Sequence, residues 1–348
     1  MMSVTSRDIE REMLDIVERE LAAYELDDHS RHLADTLRRY VTRPGGRMRP
    51  RVLTAAARAY RYSNSQVLRR VSAATELLHV FALMHDDRLD GVSRIAEPGN
   101  AEPSHQAEMS RQYELLGGDI LHAIAHSVLV DTVRTFGITS EILTTVRHIS
   151  VTTIGGQAMD MEFLLHDAPE PTVERLKTLY DRKTGYYSFV APLTIAALLG
   201  EASPADLSHL RGAGLAIGRA YQFCDDLDDI RPFIAAPGGE ADSDPDAGID
   251  RSSPAYWEFN MAGAYLLEHV GIDTRSRWHT VESRDHLLSH LSFEALADFV
   301  REHIVGELKS AREFIAGLDA GVVRGAYLQE MIDEVEKTTG FAGSGGNE

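Results

Sequence analysis

The sequence predicts an all-α protein, and three observations carry that expectation. Apolar residues recur every three to four positions through most of the chain. No run alternates apolar and polar residues in the manner of strands, and no Asn-Gly or Asp-Gly pair sits between β-branched runs. Ala and Leu are abundant while aromatic residues make up only 7% of the 348 residues, a composition suited to closely packed helices.

In order along the chain, Arg7–Tyr24 places Ile9, Met13, Ile16, Val17, Leu21 and Tyr24 on one helical face. Pro44-Gly45-Gly46 breaks the chain ahead of a helix start. Val67–Leu89 repeats the helical pattern almost without breakers. Residues 91–105 are polar and rich in breakers, so a loop is expected there. Helical spacing returns near 117–134, 140–166, 172–199, 204–230, 255–269, 285–317 and 323–337. Residues 231–254 read as an irregular acidic loop, and 341–348 as a flexible tail. With no short repeat and no clear linker, one large helical domain over 1–340 is the economical organisation.

The net charge of −19 argues against a nucleic-acid partner, which needs a basic face to replace counterions. It does not exclude an anionic substrate, because a bound metal or a local basic cluster reverses the sign of a cleft. The only cysteine, Cys224, rules out an intramolecular disulfide and fits a reducing compartment, so a cytoplasmic location is expected. No signal peptide is recognisable. The most apolar stretch, Tyr186–Leu199, is shorter than a membrane span and is interrupted by Ser188, Pro192 and Thr194.

Two windows hold an unusual density of aspartate: His85-Asp86-Asp87-Arg88-Leu89-Asp90 and Asp225-Asp226-Leu227-Asp228-Asp229. Each ends an apolar helical run, where the helix dipole disfavours negative charge. Asp86 and Asp90 share a helix face, as do Asp225 and Asp229. Hard oxygen ligands of this kind suit Mg2+, whose shell phosphate oxygens and water complete. The alternative for each window is a solvated helix end. Basic residues suited to an anion are Arg47, Arg49 and Arg51 at the helix start after the Pro-Gly-Gly break, and Lys183 beside Thr184 and Gly185. His79 lies seven residues before Asp86, about two turns away on nearly the same face.

Taken in order, these residues resemble the trans-isoprenyl diphosphate synthase family, which includes farnesyl and geranylgeranyl diphosphate synthases. Gly45-Gly46-Arg47-Met48-Arg49-Pro50 is similar to the family's Gly-Gly-Lys-Arg-Xaa-Arg-Pro. Glu76-Leu77-Leu78-His79 with the window at 85–90 resembles its first Asp-rich helix. Gly118-Asp119-Ile120-Leu121, Gly156-Gln157-Ala158-Met159-Asp160 and Lys183-Thr184-Gly185 match lesser signatures. Gln222-Phe223-Cys224 followed by the window at 225–229 resembles its second Asp-rich motif.

The resemblance implies an isoprenoid synthase type I fold, a single large helical bundle around a central cavity, forming a homodimer. It implies about three Mg2+ ions, bound with the substrate diphosphate. Asp86, Asp87, Asp90 and Asp225 would hold them, with Asp226 and Asp229 assisting. Arg94, Lys183, Thr184 and Gln222 would contact an allylic prenyl diphosphate, and Arg47, Arg49 and His79 the isopentenyl diphosphate. Phe81, five residues before Asp86, would floor the cavity and set a product of farnesyl to geranylgeranyl size; the alternative is a plain core Phe. The expected activity is a Mg2+-dependent prenyltransferase that condenses isopentenyl diphosphate with an allylic diphosphate.

Three departures bear on that expectation. The first basic motif is one residue short and lacks its Lys. Only Arg94 stands where the family has an Arg pair. Arg231–Pro254 contains no Lys and carries Glu240, Asp242, Asp244, Asp246 and Asp250 instead. These losses fall mainly on the isopentenyl site and leave two rivals in play. One is a class I terpene cyclase or prenyl-modifying enzyme that ionises an allylic diphosphate alone. The other is a weakly active partner subunit, whose hallmark would be a damaged Asp-rich motif; both motifs are intact. The string Asp242–Gly248 resembles the start of an EF-hand, but its Gly falls one place late and Ser253 stands where the bidentate Glu belongs.

Overall fold

The structure is a computed structural model describing residues 4–90, 104–163, 169–235, 259–271, 289–318, 328–329 and 332–333. The expected loop at 91–105 (with Arg94) and the tail at 341–348 lie wholly or largely outside the described residues. Among the described residues every regular element is a helix, as the sequence predicts. None of these helices is long and apolar enough to cross a membrane.

The described chain divides into two compact units. The first holds α1 (Ser6–Ala23), α2 (Leu26–His29), α3 (Arg31–Thr42), α4 (Met48–Ala59), α5 (Ser65–Asp90) and α6 (Ser104–Phe136). Helix α1 begins in a capping box. The Thr5 side chain accepts from the Asp8 N–H, and the Asp8 carboxylate accepts from the Thr5 N–H at 2.9 Å. It buries Ile9, Met13, Ile16, Val17 and Leu21 as the spacing predicts. Tyr24 is an exception. The helix ends at Ala23, so the Tyr24 ring falls beyond the last turn and is 70% exposed.

Helix α3 was not anticipated, although Leu33, Leu37, Tyr40 and Val41 form its buried stripe. Helix α4 starts at the Pro-Gly-Gly break, with Arg47 as N-cap in the left-handed region at φ 45°. The long α5 and α6 pack on one another, and α1, α3 and α4 pack against this pair.

The second unit runs from Val146 and contains most of α7 (Glu141–Glu162), then α8 (Val173–Tyr180), a π-helical segment (Asp181–Val190) and α9 (Ala191–Leu199). It continues with α10 (Pro204–Ala235), α11 (Met261–Tyr265) with a π-helical extension (Leu266–Val270), and α12 (Phe293–Ala316). The helix expected at 172–199 therefore exists, but its centre is wound wider than an α-helix. Windings of this kind concentrate at functional sites. Helix α10 also runs five residues further than expected, so residues 231–235 are helical and not loop, and the second Asp-rich window lies inside the helix and not at its end. The rest of that stretch, 236–254, lies outside the described residues, as does most of the helix expected at 323–337. Helix α10 is the hub of this unit, packing against α12, the π segment and α11.

Candidate active site

In the second unit, chemistry-bearing side chains gather where α8, the π segment and α10 meet. The π segment presents Lys183 and Thr184. Lys183 Nζ lies 2.5 Å from Asp160 Oδ2 on α7. The Thr184 hydroxyl donates to Gln222 Oε1 on α10 at 2.8 Å. Gln222, Asp225 and Asp229 follow one another along a single face of α10, and both Asp225 and Asp229 remain partly exposed.

Asp226, four residues after Gln222 and hydrogen-bonded to its side chain, turns further inward. It is 8% exposed, and its Oδ2 accepts from the Tyr180 hydroxyl at 2.5 Å and from the Met261 N–H at 2.9 Å. Burial pushes the Asp226 carboxyl up to about 7. Burial, with Asp226, Asp229 and Asp228 as negative neighbours, pushes Asp225 up to about 8. Burial and Asp226 together also raise the Tyr180 phenol. The face carrying Asp225 is thus short of positive charge, the electrostatic condition under which a divalent cation bound by oxygen is stabilised.

The first unit shows the same arrangement. At the end of α5 Asp86 is partly exposed, whereas Asp87 is fully buried. The buried Tyr40 of α3 donates to Asp87 Oδ2 at 2.6 Å, and Glu114 Oε1 of α6 lies 3.0 Å from the same hydroxyl. Asp90 is the last residue of α5, four positions beyond Asp86. The sequence groups all three aspartates. The structure separates Asp87 from Asp86, because a helix turns about 100° per residue and adjacent side chains cannot share a direction. Asp226 stands apart from Asp225 for the same reason.

Of the basic residues, Arg47 lies in a place the sequence did not suggest. It is 6% exposed, and its guanidinium binds Glu10 at 3.3 Å, Glu76 at 3.2 Å and the carbonyls of Val41 and Arg43. Arg47 therefore ties α4 to α1 and α5 instead of presenting its charge to an anion. We expect Arg47→Ala to cost about 3 kcal/mol in chemical denaturation, because it strands the buried Glu76 without its counter-charge. A variant with unchanged stability and a raised KM for a diphosphate would instead restore Arg47 to the binding set.

Arg49 is buried in the first turn of α4, and His79 is partly exposed on α5. Phe81 is partly exposed and packs edge-on to His85 at 4.7 Å between ring centroids, and against His122 at 4.8 Å. Burial and His126 lower the His122 imidazole. Tyr40, Tyr180, Glu76 and Asp160 are the site residues to which the sequence reading gave no role. Asp160 and Glu76 carried a signal, as the last residue of the matched Gly156–Asp160 signature and the first of Glu76–His79.

The polyprenyl synthetase family model matches residues 30–236. A geranylgeranyl diphosphate synthase from Sulfolobus acidocaldarius is 30% identical over 192 residues, 53% of this chain and 54% of that protein. One from Pseudescherichia vulneris is 28% identical over 263 residues, 74% of this chain and 76% of that one. The chain spans about half the length of the first curated relatives it matches.

Among solved structures, geranylgeranyl pyrophosphate synthase from Corynebacterium glutamicum, complexed with isoprenyl diphosphate and magnesium, superposes with a TM-score of 0.71 at 19% identity, covering 94% of this chain and 96% of that one. Decaprenyl diphosphate synthase from Rhodobacter capsulatus superposes with a TM-score of 0.70 at 19% identity, covering 94% and 97%. At such identities the superpositions speak for the fold alone. The family match covers more than half of the chain, and with it the two Asp-rich motifs and the Lys183–Thr184 pair: the chain belongs to the polyprenyl synthetase family.

Proposed function

We propose that this protein is a trans-prenyltransferase that condenses isopentenyl diphosphate with an allylic prenyl diphosphate, giving a product of farnesyl to geranylgeranyl size. The observation that carries the reading is the α10 face. Asp225 there stands among carboxylates that call for a divalent cation, and Gln222 on the same face is bonded to Thr184, next to Lys183. Cation, hydroxyl and amide donors beside a metal-demanding carboxylate set suit a metal-bound diphosphate. The relatives named as geranylgeranyl diphosphate synthases support the substrate class, and the magnesium complex of the Corynebacterium enzyme supports the metal.

Asp86, Asp90, Asp225 and Asp229 are the side chains assigned to Mg2+. Among the described residues no three acidic or histidine side chains hold an ion by themselves. Phosphate oxygens and water therefore complete the shells in this reading. Bound Mg2+ would act as a Lewis acid that stabilises charge on the departing diphosphate.

Lys183, Thr184 and Gln222 orient that diphosphate, with Arg94 assigned to it from the family pattern. Asp160 holds Lys183 in place for the task. Departure leaves an allylic cation, which apolar helix faces must shield from water. Arg49 and His79 bind isopentenyl diphosphate, whose double bond attacks the cation. The departed diphosphate takes the proton released, so no side-chain base is required. Phe81 bounds the growing chain. Homodimerisation is supported by Leu116, Ala123 and Val130, exposed at seven-residue spacing along α6.

The test is incubation with Mg2+ and geranyl, farnesyl or geranylgeranyl diphosphate, with and without isopentenyl diphosphate, followed by mass analysis. Elongation that requires isopentenyl diphosphate and stops on adding a chelator is expected. The commitment of Arg47 to Glu10 and Glu76 favours one rival, ionisation without condensation. A hydrocarbon or alcohol formed without isopentenyl diphosphate would establish that rival instead.

A further inference from the structure

The two Asp-rich motifs lie in different compact units and share no residue, yet each turns its second aspartate inward onto a buried tyrosine hydroxyl. In one, Tyr40 donates to Asp87 at 2.6 Å. In the other, Tyr180 donates to Asp226 at 2.5 Å. Both tyrosines come from an earlier helix, α3 or α8, and both are almost wholly buried. A polar pair in a core position is poorer packing than an apolar pair, so its recurrence at the same place in both motifs calls for a reason. The reason lies in helix geometry. Pinning the second aspartate inward fixes the local rotation of the helix, and with it the direction of the first aspartate, about 100° away.

We propose that Tyr40 and Tyr180 are positioning residues. Each holds the second aspartate of its motif so that Asp86 or Asp225 keeps its carboxylate directed at the metal and diphosphate. Asp87 and Asp226 then serve as struts and not as ligands. The inference rests on the metal-dependent reading above. It adds two tyrosines that the motif pattern does not contain.

The test uses the full chain, with Mn2+ and inorganic diphosphate as probes, and reads free Mn2+ by electron paramagnetic resonance. Tyr40→Phe and Tyr180→Phe each delete one oxygen and retain the ring. Each is expected to raise the Mn2+ concentration for half-saturation by about tenfold, the usual effect of losing a partner that orients a ligand. Activity should recover at saturating metal. Asp87→Asn and Asp226→Asn keep an acceptor for the tyrosine and should bind Mn2+ at least about tenfold more tightly than Asp86→Asn and Asp225→Asn.

An unchanged Mn2+ titration in both tyrosine variants overturns the proposal. So does an Asp87→Asn chain that loses as much affinity as Asp86→Asn, a comparison that still decides if Tyr40→Phe does not fold. If the unaltered chain binds no Mn2+ with diphosphate, the metal-dependent reading falls first and takes this inference with it.

Discussion

Asp225→Asn is expected to lower turnover by about three orders of magnitude while making the metal-free protein more stable. The two effects have one cause. Asp225 is partly buried on α10, and that burial, with Asp226, Asp229 and Asp228 as like-charged neighbours, raises its carboxyl to about 8. In the absence of metal this desolvation and repulsion work against folding, so a neutral amide relieves them by about 1 kcal/mol. With metal and diphosphate present the same carboxylate is a ligand, and its loss removes stabilisation of the departing charge. Differential scanning fluorimetry in chelator should show a higher melting temperature for the variant. Steady-state rates across a Mg2+ series should show the loss of turnover. Asp86→Asn should match the loss of turnover. A variant that keeps its rate would leave Asp225 as part of an acidic helix face and nothing more.

How far the sequence reached can be judged residue by residue. Helix α1 was legible because its five buried side chains follow the helical period. Tyr24 misled because periodicity does not report where a helix stops. The two Asp-rich motifs were legible as chemistry, since their density is unusual in any context. Their internal division was not. A motif read as a string treats Asp86 and Asp87 alike, while a helix sends them in different directions, and only the position of Tyr40 on a helix that went unrecognised shows which one is buried.

Arg47 carries the same lesson. Its cation is plain in the sequence, but the carboxylates that absorb it belong to Glu10 and Glu76, which are distant in the chain. The π segment was hidden for a further reason. Over ten residues a π-helical winding leaves an apolar pattern too short to distinguish from an α-helical one, and it is tertiary contact that holds it.

That contact predicts opposite outcomes at two adjacent glycines. Gly156 of α7 faces the π segment so closely that an added Cβ would lie 2.6 Å from the backbone nitrogen of Lys183. The obstacle is main chain and cannot swing aside. Gly155, one residue earlier, has nothing within 4 Å of such a Cβ. Gly155→Ala should therefore stabilise the protein by up to about 1 kcal/mol, the helix-propensity difference between the two residues. Gly156→Ala should destabilise it by about 2 kcal/mol through overpacking. It should also raise the KM for the allylic diphosphate, because the segment it displaces carries Lys183 and Thr184.

Gly218 of α10 presses on the same segment at a second point, with a Cβ placed there 2.6 Å from the Cα of Gly185. If both glycines serve to seat one segment, the second insertion costs less once the first has displaced it. Gly156→Ala combined with Gly218→Ala should then be less destabilising than the two single costs together. Strict additivity in urea denaturation would mean that α7 and α10 hold the π segment independently, and that its winding does not depend on being held from both sides.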